Sequence, residues 1–421
     1  MSDTPESFWP DTLTLTLDGM AQGGDAVGRY QGRVVFAAGG LPGEQVAVRL
    51  GQHTAAYARG TVVEVLAAAP ERVAPLLPGA PHMPWQHIAY PAQLVMRRTI
   101  LAEQLLKARA IEDDTIIGET LPAAAPLAYR SSARLHLAGR TIGYRDADGT
   151  TILPIERDPL LMDPLNHALA ALRDALEAHP ELDLPDRDVL IRLSETDGYL
   201  AAVFQGRTPS EDFATLAAAW RARCPQLADV ALPGDLGLVM TEEIDEMALL
   251  LSPGTFFQVN CAVARALLGL ARDGLAGTSG TLLDLFCGIG TFALPLARQF
   301  GEVIGIEESA DAVALGRAAI AINRVENVAL RAGKVEYLLP EIAAADAILL
   351  DPPRRGCEPA ALAAIATIAP ERIVYISCHP GTLARDLRTL RDAGYLARQI
   401  TPVDCFPQTA HIEAVCVLTR A

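Results

Sequence analysis

The sequence predicts an α/β protein in three parts: a small β-barrel, a central mixed α/β region, and a C-terminal doubly wound domain of Rossmann-like type. Three observations carry that reading. Residues 11–66 alternate apolar and polar side chains in short runs, cut by Gly23-Gly24, Gly39-Gly40 and Pro42-Gly43. From Leu250 onward, apolar strand-like runs alternate regularly with helical ones. Within that stretch, residues 281–308 (TLLDLFCGIGTFALPLARQFGEVIGIEE) read as strand, glycine turn, helix and second strand, the unit from which doubly wound sheets are built.

Taken in order, the runs LTLTLDG, GRVVFAAGG, EQVAVRLGQ and YARGTVVEVL give residues 1–66 the strand spacing of an oligonucleotide-binding barrel. Arg29, Arg33, Arg49, His53, Tyr57 and Arg59 are its candidates for RNA phosphates and bases. Residues 67–250 comprise a proline-rich connector and the central region. A helix is expected around 90–110, with Arg97, Arg98 and Lys107 on its polar side. SARLHLAG, TIGYR, VLIRLSE and YLAAVFQG read as strands, and PLNHALAALRDALEAH and EDFATLAAAWRAR as helices. Residues 251–421 form the catalytic candidate. Its strands are expected at 282–285, 303–306, 328–331, 347–350 and 372–376, followed by a closing pair at 398–403 and 411–419.

At 421 residues and half apolar, the chain can bury several full cores and is not a disordered polymer. No apolar run is long enough for a membrane span. The acidic N-terminus, MSDTPESFWP, lacks an export signal, so a cytoplasmic protein is expected. The net charge of −16 disfavours uniform nucleic-acid binding but permits a local basic groove. All seven cysteines stand at or after Cys224 without paired spacing, which reads as reduced thiols. A monomer is the default.

In the glycine turn, Gly288 and Gly290 let backbone approach a ligand, and Glu307 ends the second strand where ribose hydroxyls are bound. With Ala293 these glycines also fit a loose dinucleotide fingerprint, so nicotinamide and S-adenosylmethionine both remain open. Asp284 favours the second: a carboxylate suits an ammonium better than a pyrophosphate. Open α/β sheets bind at the carboxyl ends of their strands. Asp351 ends AILLD, and Cys378 follows IVYIS at a strand-to-helix turn where helix dipoles and a cation are expected to favour the thiolate. Glu413 stands in an otherwise apolar strand, a costly position unless the acid is paired or at work. Gln258, in SPGTFFQVN, faces a cofactor or base, while Asn260 suits a helix cap.

Four stretches, SPGTFFQVN, DLFCGIGTFALPLA, LLDPPRRG with YISCHPGTLARDL, and DCFPQTAHIEAV, make the chain similar to the S-adenosylmethionine-dependent RNA uracil-5 methyltransferases over nearly its whole length. The barrel resembles the RNA-binding TRAM module of the ribosomal-RNA members, which points to 23S rRNA as substrate. The alternatives are transfer RNA and another methyl acceptor. The resemblance implies that Cys378 adds to carbon 6 of a uracil and that Glu413 removes the carbon 5 proton. It further implies that Gln258, Phe286, Glu307 and Asp351 contact S-adenosylmethionine, with Asp284, Gly288, Gly290 and Thr291 shaping its methionine pocket. Three features depart from the pattern. Many such proteins hold an iron–sulfur cluster through connector cysteines, whereas PLLPGAPHMPWQH has none, so no metal is expected. His379 stands where asparagine usually follows the cysteine, and Lys334 stands where adenine is usually met by a polar or acidic group.

Overall fold

The computed structural model describes residues 9–421 apart from 147, 148, 150, 207–209, 233, 234 and 236. The N-terminal stretch read for export signals lies outside the described residues up to Phe8.

Strands β1 (Thr12–Met20), β2 (Ala26–Tyr30), β3 (Arg33–Ala38), β4 (Gln45–His53) and β5 (Tyr57–Ala67) close a barrel in the order β1-β2-β3-β5-β4. The strict alternation of β1, with Leu13, Leu15 and Leu17 inside, fixes its register against β4. Arg29, Arg49 and Arg59 are exposed on this barrel, and Arg33 lies over the Trp9 ring at 4.0 Å.

Helix α1 (Tyr90–Lys107) follows the connector and packs against the C-terminal domain. The central region holds β6 (Ser132–Ala138), β7 (Thr141–Arg145), β8 (Ile152–Pro154), α2 (Asp163–Ala178), β9 (Arg187–Leu193), β10 (Leu200–Phe204), α3 (Glu211–Arg223) and β11 (Leu227–Ala231). Its sheet runs β11-β10-β9-β6-β7-β8, and α2 and α3 pack on it through a core of their own. A hairpin, β12 (Met240–Ile244) and β13 (Met247–Leu251), leads out of this region.

The C-terminal domain comprises α4 (Cys261–Gly274), β14 (Thr281–Leu285), α5 (Ala293–Leu296), β15 (Glu302–Glu307), α6 (Ala310–Asn323), β16 (Val328–Ala332), α7 (Val335–Leu338), β17 (Ala347–Leu350), α8 (Pro359–Ile368), β18 (Arg372–Ser377), α9 (Pro380–Asp392), β19 (Tyr395–Val403) and β20 (Glu413–Arg420). The seven-stranded sheet runs β16-β15-β14-β17-β18-β20-β19. All pairings are parallel except those of β20, which is antiparallel to β18 and β19. Apolar side chains serve both faces: Leu283, Leu285, Ile348 and Leu350 pack on one, Leu282, Ala347 and Leu349 on the other. This explains why the strands read as continuous apolar runs and not as alternating ones. Chain order reverses between β14 and β17, which opens a crevice at their carboxyl ends.

One continuous apolar cluster joins the barrel interior, Trp85, Ile88, α1 and one face of the catalytic sheet. The connector is anchored by a separate small core of Met83, Tyr129 and Leu160. Among the described residues, no helix is long and apolar enough to cross a membrane. Arg97, expected on the polar side of its helix, is instead completely buried. It pairs with Asp404 and donates to the carbonyls of Phe406, Thr409 and His411. Those partners lie far along the chain, beyond the reach of helical periodicity.

Candidate active site

A cavity of about 1020 Å³ opens at the carboxyl ends of β14, β15, β17 and β18. Gln258, Phe286, Gly288, Glu307, Asp351, Cys378 and Glu413 all line it. Asp284, Gly290 and Thr291 do not; Asp284 and Thr291 are buried behind the wall.

At one end of the cavity, the chain leaves β14 through Phe286, whose φ of +66° is uncommon for a bulky residue. Its N–H still donates to the Ile306 carbonyl at 2.8 Å, so the turn stays pinned to β15. Gly288 follows with φ +56°, and a Cβ there would meet nothing within 4 Å, so a ligand could lie against the backbone. The Glu307 carboxylate accepts the N–H groups of Gly288 at 3.1 Å and Ser309 at 2.7 Å. Each of its oxygens keeps a lone pair for a ligand hydroxyl. Gln258 donates to Asp351 at 3.4 Å across the mouth. Lys334 lines the same end and pairs with Glu308 at 3.6 Å. Asn260 is a helix cap, accepting the Val263 N–H at 2.7 Å.

At the other end, Cys378 follows β18 directly and is half-buried, while the remaining six cysteines are buried. The antiparallel β20 places Ala414 opposite Ser377, which brings Glu413 to the edge where Cys378 emerges. The loop before Glu413 carries Phe406 and His411, packed edge to face at 5.4 Å, and both line the cavity. Arg97 grips this loop from behind. Gln93 bonds Gln408 reciprocally, its amide nitrogen donating to the Gln408 side-chain oxygen and its own oxygen accepting the Gln408 N–H.

Two family models match the chain, tRNA (Uracil-5-)-methyltransferase over residues 245–421 and the TRAM domain over residues 11–63. An uncharacterized RNA methyltransferase of Thermosynechococcus vestitus is 34% identical over 99% of this chain and 100% of its own. The 23S rRNA (uracil(1939)-C(5))-methyltransferase RlmD of Alkalilimnicola ehrlichii is 32% identical over 97% of each. The chain belongs to the RNA uracil-5 methyltransferase family. The crystal structure of the Pyrococcus abyssi tRNA (uracil-54, C5)-methyltransferase, in complex with S-adenosyl-L-homocysteine, has the same fold. Its TM-score is 0.76, over 97% of this chain and all of that one, at 21% identity.

For a uracil-5 methyltransferase, the electrostatics of this cavity are its most informative property. Burial raises the Asp351 carboxyl to about 7. Burial, reinforced by Asp351, lifts Glu413 well above the usual range, against the pull of Arg354. Asp284 is raised well above its usual value by burial and then by Asp351 and Glu307. No side chain among the described residues donates to it, and the Ala293 N–H pulls it down only in part. The Cys378 thiol is raised to about 11, chiefly by burial, then by Glu413 and Asp351. This corrects the expectation that helix dipoles and a cation favour its thiolate. Arg354 does pull the thiol down, but burial and two carboxylates outweigh it.

Sequence reasoning missed Arg354, Phe406 and His411 as lining residues. Arg354 and His411 carried a usable signal, since each stands within three residues of a marked acid, Asp351 or Glu413, at a strand end. His379 proves to be the N-cap of α9, its Nδ1 accepting the Thr382 N–H at 3.2 Å. It therefore fills the role for which asparagine is also suited.

Proposed function

We propose that this enzyme transfers a methyl group from S-adenosylmethionine to carbon 5 of a uridine in 23S ribosomal RNA, through a covalent bond between Cys378 and carbon 6. The observation that carries the reading is the convergence of Cys378, Glu413 and Asp351 with Gly288 and Glu307 in one cavity. The residues suit the methyl donor. Glu307 offers lone pairs to a ribose, Phe286 a ring face, and Gly288 close backbone approach. Burial raises both Asp284 and Asp351 and so favours their protonated forms, and a bound ammonium or sulfonium would favour the carboxylates instead. When bound, S-adenosylmethionine supplies an electrophilic methyl on a cationic sulfur.

Cys378 gives its proton to solvent and reacts as its thiolate, forming a bond from Sγ to carbon 6 and moving the ring π-pair to carbon 5. Arg354 favours this by lowering the thiol. Carbon 5, now electron-rich, would bond to the methyl as the sulfonium S–C bond breaks, its electron pair staying on sulfur to leave a neutral thioether. The Glu413 carboxylate then accepts the carbon 5 proton, the ring double bond re-forms, and Sγ leaves as thiolate. The uracil must leave its stack to reach Cys378, so an unpaired loop is the expected target. The exposed barrel arginines are suited to the phosphates around such a loop.

The test is nucleoside mass spectrometry of 23S and transfer RNA from cells with and without the gene. Loss of one 5-methyluridine in 23S RNA supports the reading. Loss in transfer RNA alone transfers it to the second substrate class, and loss in neither overturns it.

A further inference from the structure

The β1–β2 turn of the barrel reaches the two loops that carry Cys378 and Glu413. The turn is closed by its own hydrogen bonds, Ala21 N–H to Asp25 at 2.8 Å and Gly24 N–H to Ala21 at 3.0 Å. Its Gln22 side-chain amide lies 2.9 Å from Nε2 of His379, the residue after Cys378. Two residues on, Gly24 is wedged against the other loop. A Cβ there would lie 2.5 Å from the Ala410 Cβ and 2.7 Å from the Trp85 indole nitrogen. That indole nitrogen donates to the Gly24 carbonyl at 3.2 Å, and the Trp85 N–H donates to the Gln408 carbonyl at 3.0 Å. The turn thus touches the His379 loop on one side and the 408–411 loop on the other.

The imidazole of His379 has defined roles at both nitrogens. Nδ1 accepts the Thr382 N–H and so caps α9. Burial and the facing Arg354 hold the ring neutral. A neutral ring that accepts at Nδ1 carries its proton on Nε2, so the Gln22 amide, whose nitrogen stands 2.9 Å from Nε2, turns over by 180° to present its carbonyl oxygen. The ring is then fixed at both ends, one in the catalytic domain and one in the barrel.

We propose that Gln22 is a positioning residue: by holding His379 it sets the Cys378 turn, while Gly24 seats the loop leading to Glu413, so that barrel docking keeps the nucleophile and the base in register. This rests on the roles given to Cys378 and Glu413 above. It assigns the barrel a part in forming the reactive geometry, beyond RNA capture. Misplacement of reacting groups by an ångström costs up to about 100-fold in rate.

The test uses the full chain and two variants, Gln22→Ala and Gln22→Glu, with two readouts. The first is steady-state methylation of RNA. The second is alkylation of Cys378 by iodoacetamide, read by peptide mass spectrometry; the other six cysteines are buried and report any wider loosening. Gln22→Ala should lower kcat by about ten-fold or more with little change in the KM for RNA. It should also speed alkylation of Cys378 several-fold, with labelling confined to that residue. Gln22→Glu keeps an acceptor for Nε2–H and should retain most of kcat. An unchanged kcat and alkylation rate in Gln22→Ala overturns the proposal, as does a rise in KM alone, which would make the turn an RNA contact only. Equal losses in both variants overturn it too, as does labelling that spreads to the buried cysteines. If the wild-type chain methylates no RNA, the functional reading fails, and the alkylation readout still decides this one.

Discussion

Asp404 and Asp284 are both buried acids in the catalytic domain, and the fold treats them in opposite ways. Asp404 meets the guanidinium of Arg97 at 2.9 Å, and the remaining donors of that arginine go to loop carbonyls. Asp284 meets no cation; the Ala293 N–H pulls it down only in part, and the charged groups that act on it, Asp351 and Glu307, are acids like itself. The first arrangement holds a loop in place. The second holds its proton through burial and two neighbouring acids, and a cationic ligand would favour giving it up. The acid paired with a cation therefore braces a loop, and the acid set among other acids lies behind the glycine-turn end of the cavity.

The two sites should respond oppositely to neutralisation. Arg97→Met leaves Asp404 and three carbonyls without their donor and should cost about 3–5 kcal/mol, read by denaturant unfolding. Asp284→Asn should instead raise the melting temperature at pH 8 by a few degrees while weakening S-adenosylhomocysteine binding about ten-fold, read by calorimetry. Equal destabilisation by both would erase the contrast.

Two smaller effects sharpen it. The folded Asp351 titrates at about 7, above its ordinary value. Between about pH 4 and 7 the folded state therefore holds more protons than the unfolded chain, and stability falls as pH rises through that window. Asp351→Asn should flatten this fall and leave stability at pH 4 nearly unchanged, as thermal melts across the range would show. Likewise, a thiol at about 11 should alkylate about ten-fold faster per pH unit up to about pH 10, with no plateau near 9.

The sheet was legible because β14, β15, β17 and β18 are apolar runs that lead into a glycine turn, an acid or a cysteine. β14, β15, β17 and β18 fall within a residue or so of the expected bounds. The strand ends were legible for the same reason, since a charge that closes an apolar run stands out. What stayed hidden depends on partners remote in sequence. Arg97 looks solvated on a helical wheel, because its carbonyl partners lie about 310 residues away. The direction of the Cys378 shift was equally hidden, as it follows first from burial and then from Glu413 and Asp351 arriving on other strands. The contact between Gln22 and His379 bridges two domains and leaves no local trace.

The central claim is that Cys378 bonds to the uridine before Glu413 takes its proton. Incubating Glu413→Gln with S-adenosylmethionine and substrate RNA, then resolving the products on a denaturing gel, tests it directly. The account predicts a protein–RNA band whose cross-linked peptide contains Cys378 and whose base already carries the methyl group. No such band, together with normal methylation by Cys378→Ala, would contradict it.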